Sequence, residues 1–513
     1  MVKLKDLKEK LQVPGDEDLK EQTDAWCNRD LIPLPPNRRT WAIWAFFGYW
    51  SLDFMNIGAW QAPGAFLAEG LSVPQTMAIV VVSRITTAAF TMLIAACGLK
   101  WHIGFTVQSR ISWGHCGSFI PLIQRVFLNF IWTAYQYTGW VGGRLVEVCL
   151  TAIWPSFNTW NTFPESFPAT TAQFMGYVIF WLFSLPFLLV RPERFGFVFR
   201  WIISGCAIAM FVVLVWILSI AKGVGPIFYQ ENTVASNGGR LNTGWLIAGG
   251  IITATGGTAA GITNASDFGR YGKSRRIYSL ATFLSAVLVG SIIGLVGLTA
   301  TAAGQKAYGV VRAGASFIVC LLLLLTNMFQ NICGNAVAGG IDLSGLWPRY
   351  INIRRGAFLT FLFAWVVQPW QLINRATTFL TVLSSFGVFL GPLIGIMAAD
   401  YYLVRRRKLK LHDLYFAYSS YWFTGGFNWR VFPAWIIGWA PLVPGLIMSV
   451  NPKVKQVDGL LKLYTLNFFV GKVSSGTFDE YDYYGTFTEA EARRIGVSTE
   501  ATQAVKIKKE AAA

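Results

Sequence analysis

The stretch "GGIITATGGTAAGITNASDFGRYGK", residues 249–273, decides how this chain folds. Its length and apolar content suit a helix crossing the hydrocarbon core of a bilayer, for which about 20 residues are needed. Yet glycines stand at 249, 250, 256, 257 and 261, interleaved with Thr253, Thr255, Thr258 and Asn264. Each interior glycine costs about 1 kcal/mol against alanine, so the spacing predicts an interrupted helix. A second stretch, "GYWSLDFMNIGAWQAPG" (48–64), has the same character, with Asp53, Asn56 and Gln61 ahead of Pro63 and Gly64. Two interrupted spans in corresponding places of two halves point to a transporter of inverted repeats, whose unwound backbone meets a substrate at mid-membrane. Small residues that only let helices approach closely explain one such span more easily than two.

Working outward, the 513-residue chain is 54% hydrophobic and 13% charged, too little charge to cover a soluble domain of that size. Apolar runs read as spans near 41–68, 76–98, 121–151, 173–190, 199–221, 244–266, 278–303, 314–340, 357–374, 378–401 and 431–450. This predicts an all-α, polytopic membrane protein whose first partner is the lipid bilayer. Residues 1–40 are polar and lack the pattern of a secretory leader, so the first span is expected to direct insertion. From about 472 onward the chain is polar again.

The formal charge of +17 would suggest nucleic acid in a soluble protein. Here it is topological, because basic residues of membrane proteins collect in cytoplasmic loops. They fall in alternate connections: Arg191, Arg194 and Arg200, then Arg270, Lys273, Arg275 and Arg276, then Arg349, Arg354 and Arg355, then Arg405 to Lys410, while residues 155–171 hold neither Lys nor Arg. The N-terminus is therefore expected in the cytoplasm, although Lys453 and Lys455 blur the rule at the last outer connection. The seven cysteines are scattered without CxxC pairing, and His102, His115 and His412 form no cluster. No phosphate loop, dinucleotide fingerprint or nucleophile elbow is present. No enzymatic activity, metal or organic cofactor, or nucleic-acid partner is expected.

Polar groups inside spans are costly and face a cavity or another helix. At 1.5 Å per residue, Asp53 lies roughly 18 Å along a helix starting at Trp41, near mid-membrane. In "NMFQNICGNAVAGGIDLSG" (327–345), Asn327, Asn331 and Asn335 recur every four residues and put three amides on one stripe. Such a stripe either glues helices at about 0.6 kcal/mol a bond or lines a polar pocket. In "NFIWTAYQYTGWVGG" (129–143), Trp132 and Gln136 stand at i and i+4 on one helix face. A planar nitrogen heterocycle suits that pair. It stacks on the indole, for about 0.5–1.5 kcal/mol beyond burial, and presents its N–H and carbonyl edge to the amide, with an amide of the 327–345 span closing the pocket.

The chain resembles the nucleobase:cation symporters, within them the fungal branch of uracil, uridine and allantoin permeases together with thiamine and nicotinamide riboside transporters. The likeness covers roughly nine-tenths of the chain and rests on "NRDLIPLPPNRRTW" (28–41), "WHIGFTVQSRISWG" (101–114), "TNASDFGRYGK" (263–273), "DLSGLWPRYINIRRGAF" (342–358), "TFLTVLSSFGVFLGPLIGIMAADYYLVRRRKL" (378–409) and "GFNWRVFPAWIIGWAPLVPG" (426–445). It implies a leucine-transporter-like fold of two inverted five-helix repeats with broken helices 1 and 6, about 11–12 transmembrane helices, and alternating access. The expected layout is a cytoplasmic segment 1–40, a ten-helix core 41–401, a loop with helix 11 and a short or truncated helix 12 over 402–471, and a polar tail 472–513. The implied substrate residues are Trp132, Gln136, Asn335, Asn331 and Asn56.

Several positions depart from the pattern. Sodium-coupled relatives place Ser and Thr in helix 8 where Phe329 and Gln330 stand here. A hard cation wants oxygen ligands, so a proton is the expected coupling ion and Asp53 its carrier, unless Asp53 is only the ion-pair partner of Arg84. An aromatic residue that faces substrate in helix 6 of uracil-type members corresponds to Thr258, which widens the pocket. Asp267, beside Arg270 and Lys273, and Asp342, near Arg349, are expected to serve structural pairing or an inner gate, and Arg144 with Glu147 a structural salt bridge. The expected function is import of uracil, allantoin or a related ring by proton symport at the plasma membrane. The alternatives are a thiamine or nicotinamide riboside transporter of the same family, and a nutrient receptor that binds without transport.

Overall fold

A computed structural model describes residues 11–13, 23–134, 139–234, 242–308, 317–372, 387–451, 453–454 and 457–464. Regular structure among them is helical, relieved by two isolated β-bridges. Eight helices are long and apolar enough to cross a membrane: Val73–Trp101, Thr171–Leu188, Pro192–Ala221, Thr243–Gly269, Arg275–Ala307, Cys320–Leu346, Gly387–Val404 and Val431–Ser449. The other three expected spans are divided. Span 1 consists of two helices, Ile43–Phe54 and Ile57–Ala68. Span 3 appears as Phe119–Ala134 and Trp140–Ile153 on either side of undescribed residues. Span 9 begins as Ile353–Phe363 and runs on to Leu372. Near the end, Asp458–Tyr464 is one short helix; the first part of span 10 and the tail beyond 464 lie outside the described residues.

Local sequence explains where several helices start. Ser72 and Gln75 form a capping box at the head of span 2, and Thr170 with Gln173 does the same for span 4, each pair satisfying amides that a helix end leaves unpaired. Packing then sorts the spans into two groups. Both halves of span 1, span 2, the second half of span 6 and span 7 pack on one another, whereas spans 3, 4, 8 and 9 make a separate set. Span 5 lies against spans 1, 7 and 8.

Trp41 fastens the first spans of the two repeats together. Its backbone N–H donates to Tyr271 O at 3.0 Å, its ring stacks on Phe268 and Tyr271, and Nε1 donates to Pro192 O at 3.1 Å. Thus the start of span 1 is held to the end of span 6 by one fully buried indole.

Spans 8 and 9 approach through glycine. A Cβ on Gly340 would lie 2.5 Å from Ile353 O and 2.6 Å from Ala357 N, and one on Gly356 would lie 2.7 Å from Gly340 Cα. These neighbours are backbone atoms, so the helices themselves must separate to admit a side chain. Overpacking of this kind costs about 1–3 kcal/mol or more. Gly340→Val is expected to lower the thermal midpoint of the purified protein, whereas Gly459→Ala, with no described atom within 4 Å of the added carbon, leaves it unchanged; a dye-based melting curve in detergent checks both.

Candidate functional site

The break in span 1 follows from three residues. Phe54 ends the first helix, Met55 departs from helical geometry, and Asn56 is extended at φ −106°, ψ 168°. Asparagine is a favoured N-cap because its side-chain oxygen satisfies an orphan amide, and here Asn56 Oδ1 accepts from Ala59 N at 2.9 Å. Its Nδ2 donates to Asp53 O at 2.9 Å and to Gln330 Oε1 at 2.8 Å. Gln330 Nε2 in turn donates to Asp53 Oδ1 at 2.8 Å. One glutamine of span 8 therefore joins both sides of the break in span 1. Asp53 Oδ2 is buried without a partner among the described residues, about 4.0 Å from where a Cβ on Gly261 would sit.

Span 8 changes its winding just beyond Gln330. Asn331–Val337 is a π-helical turn, a local irregularity that frequents functional sites. Asn331, fully buried, donates from Nδ2 to Thr133 O at 3.0 Å and accepts at Oδ1 from Asn335 Nδ2 at 3.0 Å. Thr133 follows Trp132, itself 8% exposed, so Asn331 ties the tryptophan's turn of span 3 to the half-buried Asn335. Asn327, the first amide of the stripe, is buried with neither Nδ2 nor Oδ1 paired among the described residues. Gln136 lies outside the described residues.

Span 6 breaks at Thr258, whose hydroxyl bonds Thr255 O at 2.8 Å and Thr87 Oγ1 of span 2 at 3.1 Å. The hydroxyl is thus engaged with its own bundle. Beside this break, a Cβ on Gly256 or Gly257 would meet no described atom within 4 Å, and the same holds at Gly334 in the π turn of span 8. Among the described residues, no side chain or backbone closes on the two irregular segments at these glycines.

Below the breaks lies a buried charge cluster that sequence reasoning did not identify. Arg125 of span 3 pairs with Asp267 of span 6 at 2.9 Å and with Asp342 of span 8 at 3.0 Å. All three side chains are at most 3% exposed. Arg125 also donates to Asn264 Oδ1 at 2.7 Å and lies over the Phe105 ring, while Asn129 Nδ2 donates to Asp342 Oδ2 at 3.2 Å. Asp267 Oδ1 takes the amide of Phe105 at 2.7 Å, and Asn264 Nδ2 reaches Gly334 O at 2.9 Å. The sequence reading paired Asp267 with Arg270 and Lys273, and Asp342 with Arg349. Both aspartates instead share Arg125, because helices 3, 6 and 8 converge there, while Arg270 gives Nε to the backbone carbonyl of Asp267 and Nη1 to Asp30 O. Positions 125, 129, 132 and 136 recur at helical spacing, the one signal in the sequence that marks Arg125 and Asn129 as neighbours of Trp132.

Arg84 does not form the ion pair considered for Asp53; no salt bridge joins them among the described residues, and Arg84 lies 4.5 Å from the centroid of Phe54. Arg144 and Glu147 do pair, at 2.5 Å. His115, in the connection between spans 2 and 3, offers no proton switch near neutrality: burial, with Arg110 beside it, pushes the imidazole down to about 4.

A family model described as a permease for cytosine/purines, uracil, thiamine and allantoin matches residues 33–471. The chain belongs to this family. Transporter aclS of Aspergillus oryzae is 33% identical, covering 93% of this chain and 92% of that protein. Allantoin permease of Saccharomyces cerevisiae is 32% identical over 86% of this chain and 73% of its own. Among solved structures, Mhp1, a nucleobase-cation-symport-1 family transporter in a closed conformation with bromovinylhydantoin bound, superposes with a TM-score of 0.67 at 20% identity, covering 91% of this chain and 98% of that one. The protein is thus a membrane transporter rather than an enzyme, and its fold is the leucine-transporter-like one that the family resemblance implies.

Removing one partner of a buried ion pair costs about 3–5 kcal/mol because a bare charge is left in a dry site. Arg125→Gln is therefore expected to lower surface abundance and broaden the size-exclusion profile of a fluorescent fusion, and adding Asp342→Asn recovers part of the loss. Identical behaviour of the single and double variants would mean that the carboxylates do not share the cation.

Proposed function

We propose that this protein imports a planar nitrogen heterocycle, such as uracil, allantoin or a related nucleobase, by proton symport across the plasma membrane, with its N-terminus in the cytoplasm. The observation that carries the reading is the hydrogen-bonded set Asp53–Gln330–Asn56, which connects the break of span 1 to the span that bears Asn331 and Asn335. Substrate stacks on Trp132 and meets the amides of Gln136 and Asn335. Asn331 positions Asn335, Asn56 shapes the break, and Thr258 leaves room on the span 6 side. The allantoin permease relative and the hydantoin bound to Mhp1 favour a small ring carrying adjacent N–H and C=O groups.

Asp53 is the proposed proton carrier. A carboxylate in a low-dielectric setting needs a counter-charge or a proton, and Oδ2 has no hydrogen-bond donor among the described residues. Protonation there neutralises the charge at the break while Oδ1 keeps the Gln330 amide. The bridge to span 8 thus responds to the proton, and span 8 also holds substrate. Phe329 packs on Phe187 and Phe195, and with the Gln330 side chain bound to Asp53 and Asn56 this supports a proton over sodium.

Uptake of radiolabelled uracil in cells lacking their own permeases, competed by allantoin, uridine, thiamine and nicotinamide riboside, tests the substrate class. Strong competition by thiamine alone transfers the reading to the larger-ring branch, and binding without pH-dependent accumulation converts it to a receptor. Trp132→Ala and Gln136→Ala are expected to abolish uptake with normal surface abundance; normal transport by both refutes the pocket. Asp53→Asn is expected to retain binding but lose accumulation driven by an acid exterior. Gln330→Leu should weaken the pH dependence of uptake more than it weakens binding.

A further inference from the structure

The basic residues were explained above as topological, and charge alone satisfies that role. At one place they do more than supply charge. Two adjoining cavities, about 450 and 220 Å³, share Val190, Arg191 and Arg354. The larger is lined by Leu189, Val190, Arg191, Arg194 and Arg354, three guanidinium groups with no carboxylate. Arg191 and Arg194 come from the connection between spans 4 and 5, and Arg354 from the start of span 9. All three are exposed, and none of their side chains has a hydrogen-bonding or ionic partner among the described residues.

The smaller cavity extends this cationic lining inward. Arg38 is held there by Glu193, through Nη2 at 2.6 Å and Nε at 3.0 Å, which leaves Arg38 Nη1 buried with no partner among the described residues. The other acidic group in the lining, Asp30, is engaged through Oδ2 with Ile353 N at 2.9 Å. Glu193 is thus balanced by Arg38 and Asp30 is tied to a backbone amide, and neither carboxylate lines the outer cavity. Leu189, at the end of span 4, is 67% exposed, which sets the mouth of the cavity at the edge of the apolar belt.

We propose that this cleft is a binding site for a phosphoryl group, supplied by the headgroup of an anionic membrane lipid. The guanidinium fork matches phosphate oxygens in pairs, and basic pockets between membrane spans on the cytoplasmic side take anionic headgroups. The open mouth beside Leu189 lets acyl chains remain in the bilayer while the phosphate enters. A bound headgroup bridges the span 4–5 connection to the start of span 9, two elements 160 residues apart that no ion pair joins among the described residues.

The test uses the full chain in phosphatidylcholine nanodiscs, titrated with dioctanoyl phosphatidylinositol 4-phosphate and, separately, with inorganic phosphate. Binding is read by thermophoresis and folding by size exclusion. Saturable binding of the short-chain lipid is expected, weakened by roughly 100-fold in Arg191→Gln/Arg194→Gln/Arg354→Gln if each arginine contributes as one basic residue at an anionic surface. Lys273→Gln/Arg275→Gln/Arg276→Gln, which removes the same charge from another exposed basic connection, should bind as the unmodified protein does. Phosphate binding lost in the first variant, with no lipid binding, keeps the site but assigns it to a soluble phosphate. Equal weakening in both variants, or no saturable binding of either probe, overturns the proposal.

Discussion

Backbone that is unwound inside a membrane has no water to turn to, and every amide and carbonyl it frees must find a partner within the protein. At the centre of span 1 that requirement is met by the carboxamide of Asn56, which a second one, Gln330, holds in place, and by Cys206 Sγ, which donates to Met55 O. Asn56 caps the outgoing helix and returns its own amide to the carbonyl of Asp53, while Gln330 receives from Asn56 and donates to the Asp53 carboxylate. Without these bonds a straight helix is the cheaper structure at this depth. Asn56 and Gln330 are thus what lets the first repeat stay broken, and they also fix where the broken helix meets the opposite group of spans.

The second constraint lies where the two groups of spans meet. Arg125, Asp267 and Asp342 form a cation shared by two carboxylates, each drawn from a different span and all three buried. One guanidinium cannot cancel two full negative charges, so the cluster depends on Asn129 and the amide of Phe105, which donate to Asp342 and Asp267, to spread the excess. With these donors the cluster draws on spans 3, 6 and 8 and on the helix after span 2. The cluster joins span 6 of one group to spans 3 and 8 of the other, so any rotation of one group against the other must break charge-assisted bonds in a dry site.

How much of this could be read from the sequence divides by physical range. The broken spans were legible because glycine content and mid-span polar residues act locally; the structure puts the interruptions at Met55–Asn56 and at Thr258, within the stretches that looked weak. The amide stripe of span 8 was visible as spacing, but its π-helical turn was not, since the extra residue per turn reflects packing against spans 3 and 9. Gln330 stood out as a departure from sodium ligands, yet its bond to Asp53 joins residues 277 apart. The partners of Asp267 and Asp342 were misassigned for the same reason: the nearest arginines in sequence lie on the same connections, whereas Arg125 reaches both from a third helix.

The polar chain from the buried cluster to the breaks is continuous through Asn264, whose side chain accepts from Arg125 and donates to the Gly334 carbonyl inside the π turn. That carbonyl is available because a π-helical turn shifts hydrogen-bond register and leaves an acceptor uncommitted. Asn331 uses the same irregular turn to reach the Thr133 carbonyl beside Trp132. The winding defect of span 8 therefore lets one helix address span 6 on one side and span 3 on the other. A regular helix in its place would return the Gly334 carbonyl to its own backbone, and Asn264 of span 6 would lose its acceptor on span 8.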